Sequence, residues 1–306
     1  LILKFKNMIN ILIFSDIHID KKSLEECKII LEEIKTLCIT NNINRVISLG
    51  DNFDRLYPEP ECQDLFSQFI KDLDRELIII VADSHESETK KESILNHYSI
   101  LYGKVKTAKS YIDDNMFFGH FAVKESRKGF GSKVSTEDLK QYRKVFLGHV
   151  HSFERFGEIY QLGSSRFVNF DEKDDKKVVA IIKDFGDQKE TLNFIELETP
   201  YTMKQFDING NLKETLSILD GLDSKTKVKI RILNFDDFKN YINEEKRYEQ
   251  KFFKYIRENK FETNKVEVKS DVKPEKTKES FLKYLDKNKV NADVKDILKG
   301  ALNGRV

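Results

Sequence analysis

An α/β fold of two stacked sheets, followed by a small α+β lobe and a helical tail, is what this sequence predicts. Three observations carry that expectation. Short apolar runs alternate with helical patterns through the first hundred residues. Those runs lack polar alternation, as strands buried on both faces in parallel βαβ units do. From about Val105 the pattern changes to closely spaced short strands, which suits a second, mixed sheet packed on the first.

The elements follow in order. Ile9–Phe14 reads as a buried strand, and Leu24, Cys27, Leu31, Ile34 and Cys38 then recur at helical spacing. Arg45–Leu49 reads as a second strand, Cys62–Leu73 as a helix, and Leu77–Val81 as a third strand followed by a helix near Lys90–Tyr98. The second sheet is expected from Met116–Phe118, Lys144–Leu147, Glu158–Leu162, Lys177–Ile182 and Thr191–Ile195. Thr199–Pro200 marks a boundary, giving a first domain over 1–199. Beyond it, a strand at Lys227–Leu233, a long charged helix at Asp236–Arg257 and a strand at Lys265–Lys269 predict a βαβ lobe over 200–270. Asp271–Lys278 reads as a linker, and 271–306 ends in two short amphipathic helices with apolar faces at Phe281, Leu282 and Leu285, then at Val294, Ile297, Leu298, Ala301 and Leu302.

With 306 residues, 39 % of them hydrophobic, the chain can bury a full core. Its net charge of +1 excludes nucleic-acid binding by bulk charge. The charge is unevenly spread, however. Residues 251–306 carry 15 Lys/Arg against 9 Asp/Glu, or +6, leaving −5 for the rest. Cys27, Cys38 and Cys62 form no C-x-x-C, and buried free thiols in a reducing, cytoplasmic setting are expected. No apolar run approaches the roughly 20 residues of a membrane span. The opening LILKFKNMIN lacks signal-peptide architecture, and Met8 is a candidate start.

Five short segments hold the chemistry: Asp16-Ile17-His18, Gly50-Asp51-Asn52-Phe53-Asp54, Ser84-His85-Glu86, Gly119-His120 and Gly148-His149-Val150-His151. Each follows a predicted strand, so the side chains emerge at strand carboxyl ends, where α/β folds gather their sites. In extended backbone residues i and i+2 point the same way, so each D-x-H or H-x-H pair is expected to reach one metal. Mixed carboxylate and imidazole donors suit Mn²⁺, Zn²⁺ or Fe²⁺ better than Ca²⁺. Two such ions about 3.5–4 Å apart clamp a phosphoryl group and activate a water. A single His after a strand is usually structural. Here five of the six histidines occupy such positions, and only His97 is left as a structural residue.

This series resembles the calcineurin-like metallophosphoesterase superfamily, whose fold is a four-layer α/β/β/α sandwich. The resemblance implies that Asp16, His18 and His151 hold one metal, that His120 and His149 hold a second, and that Asp51 bridges both. It further implies that His85 is the general acid, oriented by Asp54. Where the family has Gly-Asn, this chain has Asp83-Ser84. Ser84, at the position of a second-metal ligand, offers a shorter and weaker donor than the Asn amide oxygen, so looser binding there is expected. Arg55 is a candidate phosphate contact, although such an arginine more often forms a loop ion pair.

Within the superfamily the chain most resembles the SbcD-type nuclease subunits of double-strand-break repair, phage or prokaryotic. GDNFDRLYPEP resembles their G-D-x-F-D and Pro-containing loop, and YQLGSSRFVNFDEKDDKKVVAIIKDF resembles their G-S, F-x-E and pre-strand Lys. The lobe resembles a DNA-capping domain, and the terminal helix pair resembles the motif that docks on a partner ATPase. This likeness implies a Mn²⁺-dependent DNA exonuclease and endonuclease in repair or recombination. DNA, an SMC-like ATPase and a second copy of the chain would be its partners, in the cytoplasm (the host's, if phage-encoded). Phosphate contacts are expected from Lys246, Arg247, Lys251 and Lys254 on the lobe. Two other readings stay open: a stand-alone nucleotide phosphodiesterase or phosphatase, and a weakly active scaffold whose Ser84 marks a failing site.

Overall fold

The computed structural model describes residues 9–81, 94–172 and 175–260. It begins with β1 (Ile9–Phe14), α1 (Leu24–Thr40), β2 (Arg45–Ser48), α2 (Pro60–Leu73), β3 (Glu76–Ile80), α3 (Ile94–Leu101) and β4 (Val105–Ala108). Then come β5 (Tyr111–Asp113), β6 (Met116–His120), β7 (Lys144–Gly148), β8 (Glu154–Phe156), β9 (Ile159–Gln161), β10 (Val178–Phe185) and β11 (Thr191–Glu196). The lobe adds β12 (Thr202–Ile208), α4 (Leu212–Gly221), β13 (Thr226–Ile232), α5 (Phe235–Lys251) and β14 (Lys254–Asn259).

Six strands form the first sheet in the order β11-β10-β1-β2-β3-β4, and five form the second in the order β5-β6-β7-β9-β8. β1 to β4 run parallel, as unalternating strands linked by helices must, while β10 and β11, expected in the second sheet, instead pair antiparallel on β1 and form the edge of the first. The lack of alternation has a direct cause. Leu12, Phe14, Val46, Leu77 and Ile79 face α1 and α2, whereas Ile11, Ile13, Ile47, Ile78 and Ile80 face Met116, Phe118, Phe146 and Tyr160 of the second sheet. Both faces are core. The outer face of the second sheet packs Val145, Leu147 and Ile159 under Val123 and Leu139. Among the described residues this fourth layer is thin, built from the segment after β6 and a single 3₁₀ turn at Glu137–Leu139. The result is a mixed α/β sandwich.

α1 presents Cys27, Ile30, Leu31, Ile34 and Cys38 to the core, as the helical spacing requires, and also buries the carboxylate of Glu26. All three cysteines are buried free thiols, and burial pushes Cys38 up to about 12. No helix among the described residues is long and apolar enough to cross a membrane.

The lobe differs from the expected single βαβ unit. Its sheet has three parallel strands in the order β12-β13-β14, with Val228, Ile230 and Ile232 packed on Leu219 of α4 and on Tyr241 and Tyr248 of α5. The long helix ends at Lys251 rather than at Arg257. Phe252 drops into the lobe core and Phe253 stacks on Tyr201 at 4.0 Å between centroids. That turn frees residues 254–259 to pair with β13. The expected strand at Lys265–Lys269, the linker and the terminal helices lie outside the described residues.

Candidate metal centre

Four predicted ligands sit where the backbone turns sharply out of a strand. Asp16, His18, Asp51 and His149 all have left-handed backbone, with φ of 50°, 49°, 48° and 85°. Such conformations cost on the order of 1–3 kcal/mol each and persist only where the surroundings impose them. Here the two loops zip together. Asp16 N donates to Gly50 O at 3.0 Å, His18 N to Asp51 O at 2.9 Å and Ile19 N to Asn52 O at 2.8 Å. The expectation that extended alternation aims each pair at one metal is therefore corrected. The D-x-H pair converges through left-handed turns, and the H-x-H pair separates.

Two donor groups result: Asp16, His18 and His151 in one, and Asp51, His120 and His149 in the other. In the first, His18 Nε2 lies 3.1 Å from His151 Nε2 and 3.9 Å from Asp16 Oδ1, and His151 Nε2 lies 3.8 Å from the same oxygen. Asp51 stands between the groups, with Oδ2 at 3.6 Å from His18 Nε2 and 3.3 Å from His120 Nε2. Asp16 is anchored from the opposite side, its carboxylate accepting from Ser15 Oγ and from His149 N at 3.1 Å.

Proton bookkeeping tests whether these donors suit cations. His120 Nδ1 faces Leu49 O at 2.8 Å, and a carbonyl only accepts, so Nδ1 carries the hydrogen. In the neutral ring Nε2 is then a lone pair, buried without a hydrogen-bond partner and aimed at a carboxylate oxygen. His151 repeats the pattern. Its Nδ1 faces Glu172 Oε1 at 2.8 Å, which turns the Nε2 lone pair toward His18 Nε2. Imidazole nitrogens and carboxylates converging in this way hold either shared ring protons or a cation among them. Burial alone would lower the pKa of His120, yet Asp51 and Asp16 push it up to about 9. A proton on the ring or a bound cation supplies the positive charge that these carboxylates favour. Divalent cations with ligand bonds of about 2.0–2.2 Å fit donor separations of this size.

The shell behind the ligands came less directly from sequence. Glu172 accepts from His151 Nδ1, from Ser164 Oγ at 2.8 Å and from Lys177 Nζ at 2.7 Å, the carboxylate–imidazole support common behind metal-binding histidines. Arg166 donates to Ile17 O at 2.6 Å and to His18 O at 2.5 Å, clamping the first ligand loop from below. Its remaining nitrogen reaches Glu26 Oε2 at 3.2 Å, and Lys227 of β13 reaches the other Glu26 oxygen at 2.8 Å. This buried triad ties the lobe to α1 and to the ligand loop. The F-x-E run and the Lys before the strand were the visible signal for Glu172 and Lys177, but nothing pointed to Arg166 or to Glu26, an acid inside an amphipathic helix.

A model of the calcineurin-like phosphoesterase family matches residues 9–191, more than half of the chain. The chain belongs to that family. Among solved structures, the Pseudomonas putida nuclease MPE is similar over 56 % of this chain and 84 % of its own, at 11 % identity and a TM-score of 0.34. No curated protein matches. In this phosphoesterase the family implies divalent metal ions, and the two donor groups are possible sites for them.

The remaining predicted residues of the phosphoesterase site divide in two. Asp54 lies 3.5 Å from His18 Nδ1. Ser84 and His85, with Asp83, lie outside the described residues. Arg55 forms the loop ion pair with Glu59 at 3.1 Å, and His97 is exposed on α3.

Close approach explains two glycines. A Cβ on Gly148 would stand 2.4 Å from Ser15 Oγ and 2.7 Å from His120 Nδ1, and one on Gly50 would stand 2.7 Å from the same nitrogen. Gly148→Ala should therefore displace His120 and Asp16 together. Metal titration of the variant is expected to show affinity weakened by about 10–100-fold, the range seen when ligand support is disturbed. Unchanged affinity would show that the site tolerates the methyl.

Proposed function

We propose that this phosphoesterase is a Mn²⁺-dependent DNA nuclease subunit that hydrolyses phosphodiesters in DNA repair or recombination together with an SMC-like ATPase. One observation supports a polymeric anionic substrate above the rest. A cleft of about 520 Å³ is lined by Asp54 and Asn169 beside the metal centre and by Lys227, Lys254 and Tyr255 of the lobe, with Asp20, Lys22 and Arg166 also on its wall. Asn169 Nδ2 lies 3.2 Å from His151 Nδ1, so this cleft adjoins the first donor group. Lys22 and Lys254 are its cations outside the buried Glu26 triad, and a small phosphate ester needs no contact that far into the lobe.

Asp16, His18, His151, Asp51, His120 and His149 would hold divalent ions, which would supply charge neutralisation on a phosphodiester and activation of a water for in-line attack. The protein fixes the imidazole tautomers through Leu49 O and Glu172, and Arg166 holds the ligand loop rigid. The donor set favours a borderline ion, and Mn²⁺ is our choice. His85, oriented by Asp54, is assigned the proton to the leaving oxygen, with Ser84 a weak ligand of the second ion. The 200–270 lobe is assigned the DNA and the 271–306 helix pair the ATPase, with the complex built on a dimer of this chain.

Of the lobe cations expected to face phosphates, three are accounted for otherwise or lie elsewhere. Arg247 pairs with Asp220 at 2.6 Å, Lys251 donates to Leu219 O and Asp220 O at the end of α4, and Lys246 does not line the cleft. Lys254 does line it. Lys254→Glu should weaken binding of DNA uniformly across sequences and lower the salt slope of log K by about 1–2. The deciding test offers the Mn²⁺-loaded full chain, with and without its ATPase, blunt duplex, hairpin and single-stranded DNA beside a small chromogenic phosphodiester. Cleavage of DNA supports the proposal. Intact DNA with a hydrolysed diester would assign a stand-alone phosphodiesterase, and no bound metal with no hydrolysis would assign a scaffold.

A further inference from the structure

The segment after β6 carries a feature that the metal centre does not use. Lys124–Lys133 reads K-E-S-R-K-G-F-G-S-K, an aromatic between two glycines and among basic residues. Phe130 at its tip is fully exposed, at 104 % of the reference area, and makes no ring contact among the described residues. Lone exposed apolar side chains are ordinary on protein surfaces. This one is held in place by its loop. Lys124 N donates to Val134 O at 2.9 Å, Gly129 N to Ser126 O at 2.9 Å, Ser132 N to Gly129 O at 2.9 Å, and Ser132 Oγ to Ala122 O at 2.6 Å. Gly129 lies so close to Val123 O that a Cβ would stand 2.1 Å from it, and Gly131 has φ of 84°. The glycines let the loop fold back tightly with its tip facing outward.

Beneath the tip is a cavity of about 340 Å³, lined by Phe130, Lys128, Phe121 and Ser132 and by the metal-site histidines His120 and His149. It adjoins the second donor group, whereas the basic cleft adjoins the first. Lys124 and Lys133 are exposed on the same loop as Lys128, and Lys128 and Lys133 form no ion pair among the described residues. Arg127 is engaged with Glu154 at 3.3 Å and Asp175 at 3.4 Å, which fixes the loop's base. An exposed aromatic face among cations, at the rim of a phosphodiester site, has the two components of single-strand recognition: stacking on bases and attraction to phosphates.

We propose that Phe130 is a nucleobase-stacking platform that seats an unpaired end of the polynucleotide, with Lys128 and Lys133 on its backbone, against the His120–His149 side of the metal centre. This inference rests on the nuclease reading. It makes the preferred substrate a single strand or frayed end rather than an intact duplex, and it makes Phe130 a positioning residue rather than a catalytic one.

The chain contains no tryptophan, so Phe130→Trp creates a single fluorophore at the tip. Adding a hydrolysis-resistant single-stranded phosphorothioate oligonucleotide to the full-length Mn²⁺-loaded variant should quench its emission. Binding, followed independently by anisotropy of a labelled oligonucleotide, should weaken roughly 5- to 150-fold in Phe130→Ala. Phe130→Leu, which keeps an apolar tip, should weaken comparably, and Phe130→Tyr should retain binding. All four variants should bind Mn²⁺ with wild-type affinity and melt at the wild-type temperature, because the ring is fully exposed and holds no ligand. Wild-type-like affinity in Phe130→Ala, or unchanged Trp emission at saturation, would overturn the stacking role and leave Phe130 to a protein contact, with the nuclease reading intact. If the wild type neither binds nor cuts any oligonucleotide yet hydrolyses the small diester, the nuclease reading fails and this inference fails with it.

Discussion

Replacing Asp51 with Asn is expected to lower hydrolysis of a small phosphodiester by more than about 100-fold while leaving the fold intact. The size follows from position. Disturbing a residue behind a metal ligand costs about 10–100-fold, and Asp51 stands in front, with one oxygen within 3.6 Å of His18 Nε2 and 3.3 Å of His120 Nε2. It is the carboxylate between both donor groups. Asn preserves volume but removes the charge and turns one oxygen into an NH₂ donor, which repels a cation. The zipped backbone, in which Asp51 O accepts from His18 N, is untouched by the exchange.

The measurement pairs kinetics with melting. A ligand that binds only the native state stabilises it by about 2.7 kcal/mol at a hundredfold excess over its Kd. Mn²⁺ should therefore raise the melting temperature of the wild type and raise that of Asp51→Asn much less. A variant with near-wild-type turnover and a full Mn²⁺-dependent rise in melting temperature would show that Asp51 does not serve both groups.

Much of this arrangement is legible in the sequence because strand ends and motifs coincide. β1, β2, β6 and β7 each deliver a ligand at or just beyond the last residue, so apolar runs followed by D-x-H, G-D, G-H and G-H-x-H point to one rim. What escaped has physical causes. The left-handed turns at Asp16, His18, Asp51 and His149 depend on two loops hydrogen-bonding to each other, a long-range condition that no local pattern displays. The end of α5 departs from its sequence pattern because K-Y-I-R-E-N continues a charged helical run, and only pairing with β13 makes it a strand. Strand β12 and helix α4 lie in a stretch of mixed propensity that tertiary packing resolves. Glu26 is buried because Lys227, 201 positions away, and Arg166 meet it.

The same logic of buried charge gives the largest expected effect on stability, at Glu172. The residue is 1 % exposed, and its oxygens accept from His151, Ser164, Lys177, Val168 N at 3.2 Å and Asn169 N at 2.9 Å. Burial would raise its pKa, but the His151 hydrogen bond and the Lys177 charge outweigh that and bring it down to about 2. Lys177 is itself buried, donating to Ser164 Oγ at 2.9 Å and to His151 O at 3.2 Å besides Glu172. Removing one partner of such a pair leaves the other charge stranded and costs about 3–5 kcal/mol. Glu172→Gln should destabilise the metal-free protein by that order in urea unfolding.

The paired variant Glu172→Gln/Lys177→Met separates two roles of the carboxylate. Stability should largely return, because no stranded ammonium remains. Metal affinity at the Asp16–His18–His151 group should stay lowered about 10–100-fold, because His151 still lacks its orienting carboxylate. Acid titration adds a signed check. A carboxyl whose pKa falls from 4.5 unfolded to about 2 folded contributes stability above pH 4.5 and loses it as pH falls toward 2. The wild type should therefore shed stability across that interval more steeply than the paired variant does. Metal affinity that recovers along with stability would mean that Glu172 acts only as the counterion of Lys177, and that His151 is oriented without it.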